Sequence, residues 1–292
     1  MYESFYGLKE RPFALTPDPQ FLFLAHPHRR ALTHLEFSLA HETAFCLITG
    51  EVGAGKTILI HHLLKSVEST VTVGLISNTS RNFGRLLQWV CMSFGLEHNG
   101  NDEVSLYELF IRFLIDEYAK GHKVVLIVDE AQNLGPARLE ELRVLSNINV
   151  EKHLLLQTIL VGQPELRTLV RAPELLQFAQ RIGADCHIGV LSPDEARHYV
   201  QHRLRVAGGC VSLFTHTAIR LAYQNSKGIP RLINHYCDRA LVYGYADRAA
   251  RIDHELMAHA IEDRRSSDLV ALQRLNVENI ERRPLDRIER ID

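Results

Sequence analysis

The first 190 residues alternate between short, continuous apolar runs and segments with an apolar residue every three or four positions. The short runs have the length of buried strands, and the spaced segments have the periodicity of helices. Five strands are predicted in this way, at 45–49, 70–77, 123–130, 154–162 and 184–190. Because the strands are apolar and alternate with helical segments, the pattern predicts a parallel sheet covered by helices on both faces.

Helical patterns account for the rest of the periodic sequence. Those around the strands are predicted at 28–41, 56–64, 82–95, 104–120, 136–148 and, as short helices, 164–178. After the fifth strand only helical patterns follow, at 192–206, 214–225, 229–247 and 253–262. The first of these begins with a capping box, in which Ser192 is the N-cap, Pro193 the first helical residue and Glu195 the reciprocal partner. The pattern therefore predicts a small, all-helical second domain.

These patterns divide the chain into four parts. A Pro/Phe-rich arm and entry helix are followed by the sheet domain, a helical lid domain and a segment rich in Arg, Asp and Glu. Their predicted bounds are 1–40, 41–191, 192–262 and 263–292. In the last part, Leu269, Leu272 and Leu275 form a weak repeat that predicts a short amphipathic helix before a flexible tail.

Composition and charge exclude few classes of protein. The apolar content of 46% and the charged content of 23% are those of ordinary globular proteins. A formal net charge of −2 gives no global attraction to nucleic acid or anionic membranes. The five cysteines have no close spacing, which favours reduced thiols. Because there is no bilayer-length apolar run and no signal-peptide pattern, we expect a cytoplasmic protein without a membrane span of its own.

The most specific motif lies directly after the first strand. Gly-Glu-Val-Gly-Ala-Gly-Lys-Thr fills every fixed position of G-x-x-x-x-G-K-[ST], from Gly50 to Thr57. The glycines allow backbone N–H groups to turn inward, and the following helix N-terminus completes an anion site. Lys56 would reach the β- and γ-phosphates, and the Thr57 hydroxyl would hold Mg²⁺. An ordinary glycine-rich turn is the alternative. The residues predicted to contact the nucleotide here are Gly50, Glu51, Val52, Gly53, Ala54, Gly55, Lys56, Thr57 and Ile58.

A second motif ends the third strand, where an apolar run is followed by Asp129 and Glu130. Ligands of parallel sheets gather at the carboxyl ends of the strands, so Asp129 is expected beside Thr57 as a second contributor to the Mg²⁺ site. Glu130 can then polarise a water for attack on the γ-phosphate. The alternative is a solvated turn. Together with the intact loop, the two acids predict ATP hydrolysis.

With these residues in view, the chain resembles the AAA+ ATPases, and more specifically those of the general secretion pathway ExeA/GspA type. The more specific motifs are the opening Met-Tyr-Glu-Ser-Phe-Tyr-Gly-Leu-Lys-Glu-Arg-Pro-Phe-Ala-Leu-Thr-Pro-Asp-Pro, Asp129-Glu-Ala-Gln132 and Gly162-Gln-Pro-Glu-Leu166. The resemblance covers about residues 1–262 and extends to stand-alone relatives of pilus (MshM-like) and exopolysaccharide or exosortase loci. Full-length secretion members continue into a transmembrane segment and a peptidoglycan-binding domain, which are not found in this sequence.

The resemblance implies a P-loop AAA+ fold and three further catalytic positions. Gln163 matches the sensor-1 residue, which aligns water and γ-phosphate. Arg181 matches the arginine finger that is offered to the ATP of a neighbouring subunit. Arg231 matches sensor 2, at the start of a helix and directed toward the phosphates. Each of these residues also has an alternative without a catalytic role. Gln163 would then be an exposed loop residue, Arg181 part of a surface ion pair, and Arg231 an ordinary arginine at the start of a helix.

The expected function is an ATPase that works between the subunits of a ring-shaped homo-oligomer and serves cell-envelope assembly proteins. A partner protein would recruit it to the inner membrane. The alternative is a DNA-binding regulator of the transposition or initiator type, for which a few basic residues would suffice. The candidates for DNA contact are Arg29, Arg30, Arg138, Arg143, Arg264 and Arg265. A third reading is an inert scaffold stabilised by nucleotide.

Overall fold

The computed structural model describes residues 1–41, 43–66, 70–77, 85–97 and 102–266. The chain divides into two compact units. The sheet unit comprises Thr16–Ser192 together with Ile229–Arg231. The helical unit comprises Met1–Leu15, Pro193–Gly228 and the described residues from Leu232 to Ser266. The predicted C-terminal amphipathic helix with its leucine repeat lies outside the described residues.

The strands of the sheet unit begin and end close to the predicted positions. They are β1 (Phe45–Gly50), β2 (Val71–Ile76), β3 (Lys123–Val128), β4 (Asn149–Val150), β5 (His153–Leu154), β6 (Leu156–Gly162) and β7 (Ile182–Ile188). Five of them form one parallel sheet in the order β2-β3-β6-β1-β7. The predicted five-stranded parallel sheet with flanking helices is therefore confirmed.

The helices occupy segments before, between and after the strands. In chain order they are α1 (Tyr2–Phe5), α2 (His26–Ala40), α3 (Lys56–Ser66), α4 (Leu86–Ser93), α5 (Glu103–Ala119), α6 (Gly135–Leu145), α7 (Pro164–Val170), α8 (Leu176–Ala179), α9 (Pro193–Val206), α10 (His216–Ser226), α11 (Pro230–Ala246) and α12 (His254–Ser266). Among the described residues, 3-10 turns lie at Pro19–Phe21, Ala131–Asn133 and Pro173–Leu175. Over the described ranges, the chain has no helix with the length and apolarity needed to cross a bilayer.

The core of the sheet unit has two layers, one on each face of the sheet. Every residue of β1 and β6 is buried, as expected for central strands between two layers of helices. Side chains alternate along β1, so that Phe45 and Leu47 pack in one layer, and Cys46 and Ile48 in the other. The central strands are thus held firmly, and their carboxyl ends provide a rigid edge for a site.

The helical unit includes the N-terminal segment Met1–Leu15. The buried guanidinium of Arg203, on α9, donates hydrogen bonds to the carbonyls of Pro12 and Ala14. Arg11 forms an ion pair of 2.6 Å with Asp238 of α11, and the hydroxyl of Tyr2 donates to the same carboxylate. These contacts hold the segment against α9 and α11.

Two local predictions were wrong. The fourth predicted strand, 154–162, is interrupted: Leu154 belongs to β5, which pairs antiparallel with β4, and the parallel strand begins at Leu156. The cause is the turn at Glu151, whose left-handed φ of 53° folds the chain back before β6. The N-terminal arm, predicted as irregular, begins with the single-turn helix α1.

Candidate nucleotide-binding site

The loop from Gly50 to Thr57 connects β1 to α3 at the carboxyl edge of the sheet. Gly53 and Gly55 have φ values of 82° and 97°, a conformation that side chains with a Cβ rarely adopt. A Cβ on Gly53 would also lie 2.4 Å from the Cβ of Arg231. These backbone angles and this close packing explain why the loop needs glycine at both positions.

Lys56 is the first residue of α3 and is only 6% exposed. Its ammonium group donates to the carbonyl oxygens of Gly50 at 2.7 Å and Glu51 at 3.1 Å. Burial lowers the pKa of Lys56, and the carboxylates of Glu130 and Asp129 act in the opposite direction. An ammonium has three donor hydrogens, so Lys56 can hold the loop with two of them and offer the third to a bound anion.

The structure brings Thr57 and Asp129 together at the same edge. The Thr57 hydroxyl donates to Asp129 Oδ2 at 3.1 Å, although the two residues are 72 positions apart. Asp129 is 8% exposed and follows directly after β3. A hydroxyl and a carboxylate are oxygen donors of the kind that Mg²⁺ binds, so the residues present fit this cation.

Glu130 lies next to this pair with its backbone in the left-handed conformation, at φ 52° and ψ 39°. Such a conformation is costly for a residue other than glycine and is concentrated at functional sites. Its Oε2 accepts hydrogen bonds from Gln132 Nε2 at 2.6 Å and from Gln163 Nε2 at 3.1 Å. Burial acts to raise the pKa of Glu130, but the hydrogen bonds from Gln132 and Gln163 and the charge of Lys56 outweigh it, and the pKa is lowered. The carboxylate is therefore ionised at neutral pH.

Of the three positions carried by the resemblance, two lie at this edge. Gln163 follows β6 and contacts Glu130 as described. Arg231 lies in the first turn of α11; its backbone N–H donates to the Gly53 carbonyl at 3.3 Å, and its side-chain carbons lie along Gly53. Both residues are thus in contact with groups of the predicted site.

Arg181 lies at the other edge of the sheet. It precedes β7, whose first residue Ile182 lies opposite Phe45, the first residue of β1. The sheet is parallel, so Arg181 is at the amino edge, about five residues or roughly 17 Å along the strands from the P-loop. Its guanidinium donates to the Ser146 hydroxyl at 2.8 Å. The structure does not bring Arg181 to the nucleotide site of its own chain.

Two residues of the site were missed from the sequence. His28 of α2 is 4% exposed, and its Nε2 lies 2.8 Å from the Ala54 carbonyl of the P-loop, to which it donates. Gln132 was noted only as part of a family motif, and its contact with Glu130 was not predicted. A glutamine two residues after the second acid was the available signal for Gln132. No local pattern indicates His28, because its position depends on how α2 packs.

The parallel sheet and this loop together define a P-loop fold of the AAA class. Residues 40–170 match the family model described as "AAA domain".

The chain is further similar to General secretion pathway protein A of Aeromonas hydrophila, with 40% identity over 255 residues. This confirms the predicted resemblance to the ExeA/GspA type. The match covers 87% of this chain and 47% of the relative, so the chain spans about half the length of this curated protein.

Solved structures support the fold. The Aeropyrum pernix ORC2 protein, solved in ADPNP–ADP complexes, has a TM-score of 0.66 at 16% identity, covering 87% of this chain and 71% of that one. The Walker-type ATPase of Pyrococcus abyssi has a TM-score of 0.60 at 16% identity, covering 92% of this chain and 81% of that one. At such identities the likeness concerns the fold alone.

Proposed function

We propose that this protein is a Mg²⁺-dependent ATPase that acts between subunits of a homo-oligomer to drive or regulate the assembly of a cell-envelope machine. The observation that carries the catalytic part is the grouping of Lys56, Thr57, Asp129 and Glu130 at one edge of the sheet. The likeness to General secretion pathway protein A supports the envelope part.

In this proposal, the P-loop amides and the Lys56 ammonium bind the phosphates, and Arg231 contributes a second positive charge from the start of α11. Thr57 and Asp129 would hold Mg²⁺, which when bound supplies positive charge to the phosphate oxygens. The hydrogen bond between Thr57 and Asp129 keeps the two side chains close together. Their role is binding and orientation.

Glu130 is the proposed general base. Its ionised carboxylate accepts a proton from a water as that water attacks the γ-phosphorus, and the bond from the γ-phosphorus to the bridging oxygen of ADP breaks. Gln163, which hydrogen-bonds to the same carboxylate, is placed to orient the water. The products are ADP and phosphate.

Action between subunits is supported by the position of Arg181. Because this residue lies at the opposite edge of the sheet from the P-loop of its own chain, we expect it to act on the nucleotide of another copy. A guanidinium supplied in this way stabilises the charge of the transition state. The machine served would be of the secretion, pilus or exopolysaccharide type. We expect ATP to be used on the cytoplasmic side, with recruitment to the inner membrane by a partner protein.

The test of catalysis is steady-state ATP hydrolysis by the parent protein and by Glu130→Gln. We expect the variant to keep its affinity for a fluorescent ATP analogue and to lose at least about 100-fold in turnover, as is typical for a lost catalytic base. Specific activity should rise with protein concentration if subunits complete one another's sites. Parent-like turnover by Glu130→Gln would contradict the assignment of the base.

The test of the envelope role is cross-linking of the Glu130→Gln variant in its source cells, where trapped ATP should hold partners in place. Recovery of envelope assembly proteins would support the proposal. A salt-sensitive, ATP-dependent shift of duplex DNA without such partners would favour the DNA-binding alternative instead.

A further inference from the structure

The side chain of Gln132 connects two groups of the proposed catalytic edge. It lies in the 3-10 turn Ala131–Asn133, directly after Glu130. Its amide nitrogen Nε2 donates to Glu130 Oε2 at 2.6 Å. Its amide oxygen Oε1 accepts from the backbone N–H of Gln163 at 3.1 Å. One amide group therefore spans the end of β3 and the end of β6.

The orientation of this amide is fixed by its partners. A backbone N–H can only donate, and an ionised carboxylate can only accept. If the Gln132 amide were rotated by half a turn, its NH₂ group would face the Gln163 N–H and its oxygen would face Glu130 Oε2. Both contacts would then be repulsive. Gln132 is thus specifically matched to an ionised Glu130 on one side and to the main chain of Gln163 on the other.

Gly162 provides the space for this arrangement. A Cβ built on Gly162, the last residue of β6, would lie 2.6 Å from Gln132 Oε1. The φ of Gly162 is not in the left-handed region, so the need for glycine here is one of space. The end of β6 is therefore shaped to admit the Gln132 side chain.

We propose that Gln132 is a positioning residue for ATP hydrolysis, which holds the Glu130 carboxylate in place and ties it to the residue that orients the water, Gln163. The inference rests on the proposed function, in which Glu130 is the base. It assigns to Gln132 no contact with the nucleotide, since its hydrogen bonds go to Glu130 and Gln163. It accounts for the left-handed backbone of Glu130, because a strained conformation persists where surrounding contacts determine it.

Two consequences separate this role from a merely structural one. Loss of Gln132 leaves the P-loop contacts of Lys56 intact, so kcat should fall while KM for ATP stays the same. A side chain of the same size that cannot donate to Glu130 should lower kcat as much as a truncated side chain does, whereas a merely space-filling role would tolerate it.

The experiment compares kcat and KM for the parent, Gln132→Ala, Gln132→Glu and the control Asn133→Ala. For Gln132→Ala we expect kcat to fall by about 10- to 100-fold, the effect of a modest misplacement of a catalytic group. KM should change less than about twofold. Asn133 is exposed in the same 3-10 turn, so its variant should behave like the parent.

Gln132→Glu gives the sharper result because it keeps the size of the side chain. It replaces the donor to Glu130 Oε2 by a carboxylate oxygen, which repels the Glu130 carboxylate instead of holding it. We therefore expect kcat to fall at least as far as in Gln132→Ala. Affinity for a fluorescent ATP analogue checks that each variant is folded.

The outcomes distinguish this inference from the proposed function. If the parent hydrolyses ATP but both Gln132 variants keep its kcat, the positioning role is refuted. A parent-like kcat in Gln132→Glu alone would also refute it, because the size of the side chain and not its hydrogen bond to Glu130 would then be what matters. If Gln132→Ala fails to bind the analogue, the kcat of Gln132→Glu tests the inference instead. If the folded parent binds ATP but hydrolyses none, the proposed function fails first.

Discussion

Glu117, at the end of α5, provides a quantitative test of how the sheet is held together away from the nucleotide site. Its side chain is 9% exposed and accepts hydrogen bonds from Lys120 Nζ at 2.7 Å, from His122 Nδ1 at 3.0 Å and from the Thr72 hydroxyl. Because Thr72 belongs to β2 and His122 precedes β3, the hydrogen bonds of this carboxylate connect α5 to the amino ends of two strands. We predict that Glu117→Gln lowers the free energy of unfolding at neutral pH.

The magnitude follows from the ionisation of Glu117. The hydrogen bonds from Lys120, Thr72 and His122 lower its pKa from the ordinary 4.5 to about 2. One pKa unit corresponds to about 1.4 kcal/mol, so the limit is about 3 kcal/mol. The Lys120 side chain is 60% exposed, and solvent screens its contribution, so we expect about 2 kcal/mol. A lowered folded-state pKa stabilises the folded state above the unfolded pKa, near 4.5, and this contribution is lost as pH falls toward 2.

The assay is urea unfolding of the parent and Glu117→Gln at several pH values between 7 and 3. The difference in free energy should be about 2 kcal/mol at pH 7 and should shrink below about pH 4.5. Glu108→Gln is the matched control, because Glu108 lies on the same helix with a side chain that is 61% exposed. Its variant should match the parent within about 0.5 kcal/mol. A difference that stays constant from pH 7 to pH 3 would refute the reasoning.

Three further predictions concern single residues. Arg181→Ala should keep the affinity for nucleotide and lower the turnover of ATP by at least about 100-fold. Full turnover of this variant at ordinary protein concentration would contradict the assignment of Arg181 as the arginine finger. Arg203→Ala should lower the free energy of unfolding of the helical unit by about 3 kcal/mol in chemical denaturation, because the carbonyls of Pro12 and Ala14 lose their donor. Arg205 is exposed, so Arg205→Ala should leave that free energy unchanged. Gly53→Ala should abolish binding of a fluorescent ATP analogue, because its Cβ would lie 2.4 Å from a side-chain carbon at the start of α11. Gly121→Ala, with a left-handed φ of 77° but open space, should cost stability and leave binding intact; equal affinities for the two variants would contradict the packing argument.

The parts of the fold that could be predicted are those determined by short-range pattern. Buried strands such as β3 read as continuous apolar runs, and alternation with helices specifies a parallel sheet. The approach of Thr57 to Asp129 follows from the same rule, since parallel strands end at a common edge. The interruption before β6 could not be read in this way, because Leu154 continues the apolar run although the turn at Glu151 removes it from the parallel sheet.

The parts of the site that escaped prediction depend on tertiary packing. His28 reaches the Ala54 carbonyl across 26 residues, and only the docking of α2 creates this contact. The bridge made by Gln132 requires the 3-10 turn after Glu130 and the space above Gly162 at the same time. A sequence motif indicates which residue types are present, whereas such a bridge depends on the angles between elements.

Isothermal titration calorimetry with Mg-ATP tests the central claim most directly. The proposal predicts saturable binding with a stoichiometry of about one per chain for the parent, and the loss of measurable heat for Lys56→Ala, whose ammonium group holds the P-loop. A folded parent protein that gives no heat of binding, or a Lys56→Ala variant that binds like the parent, would contradict it.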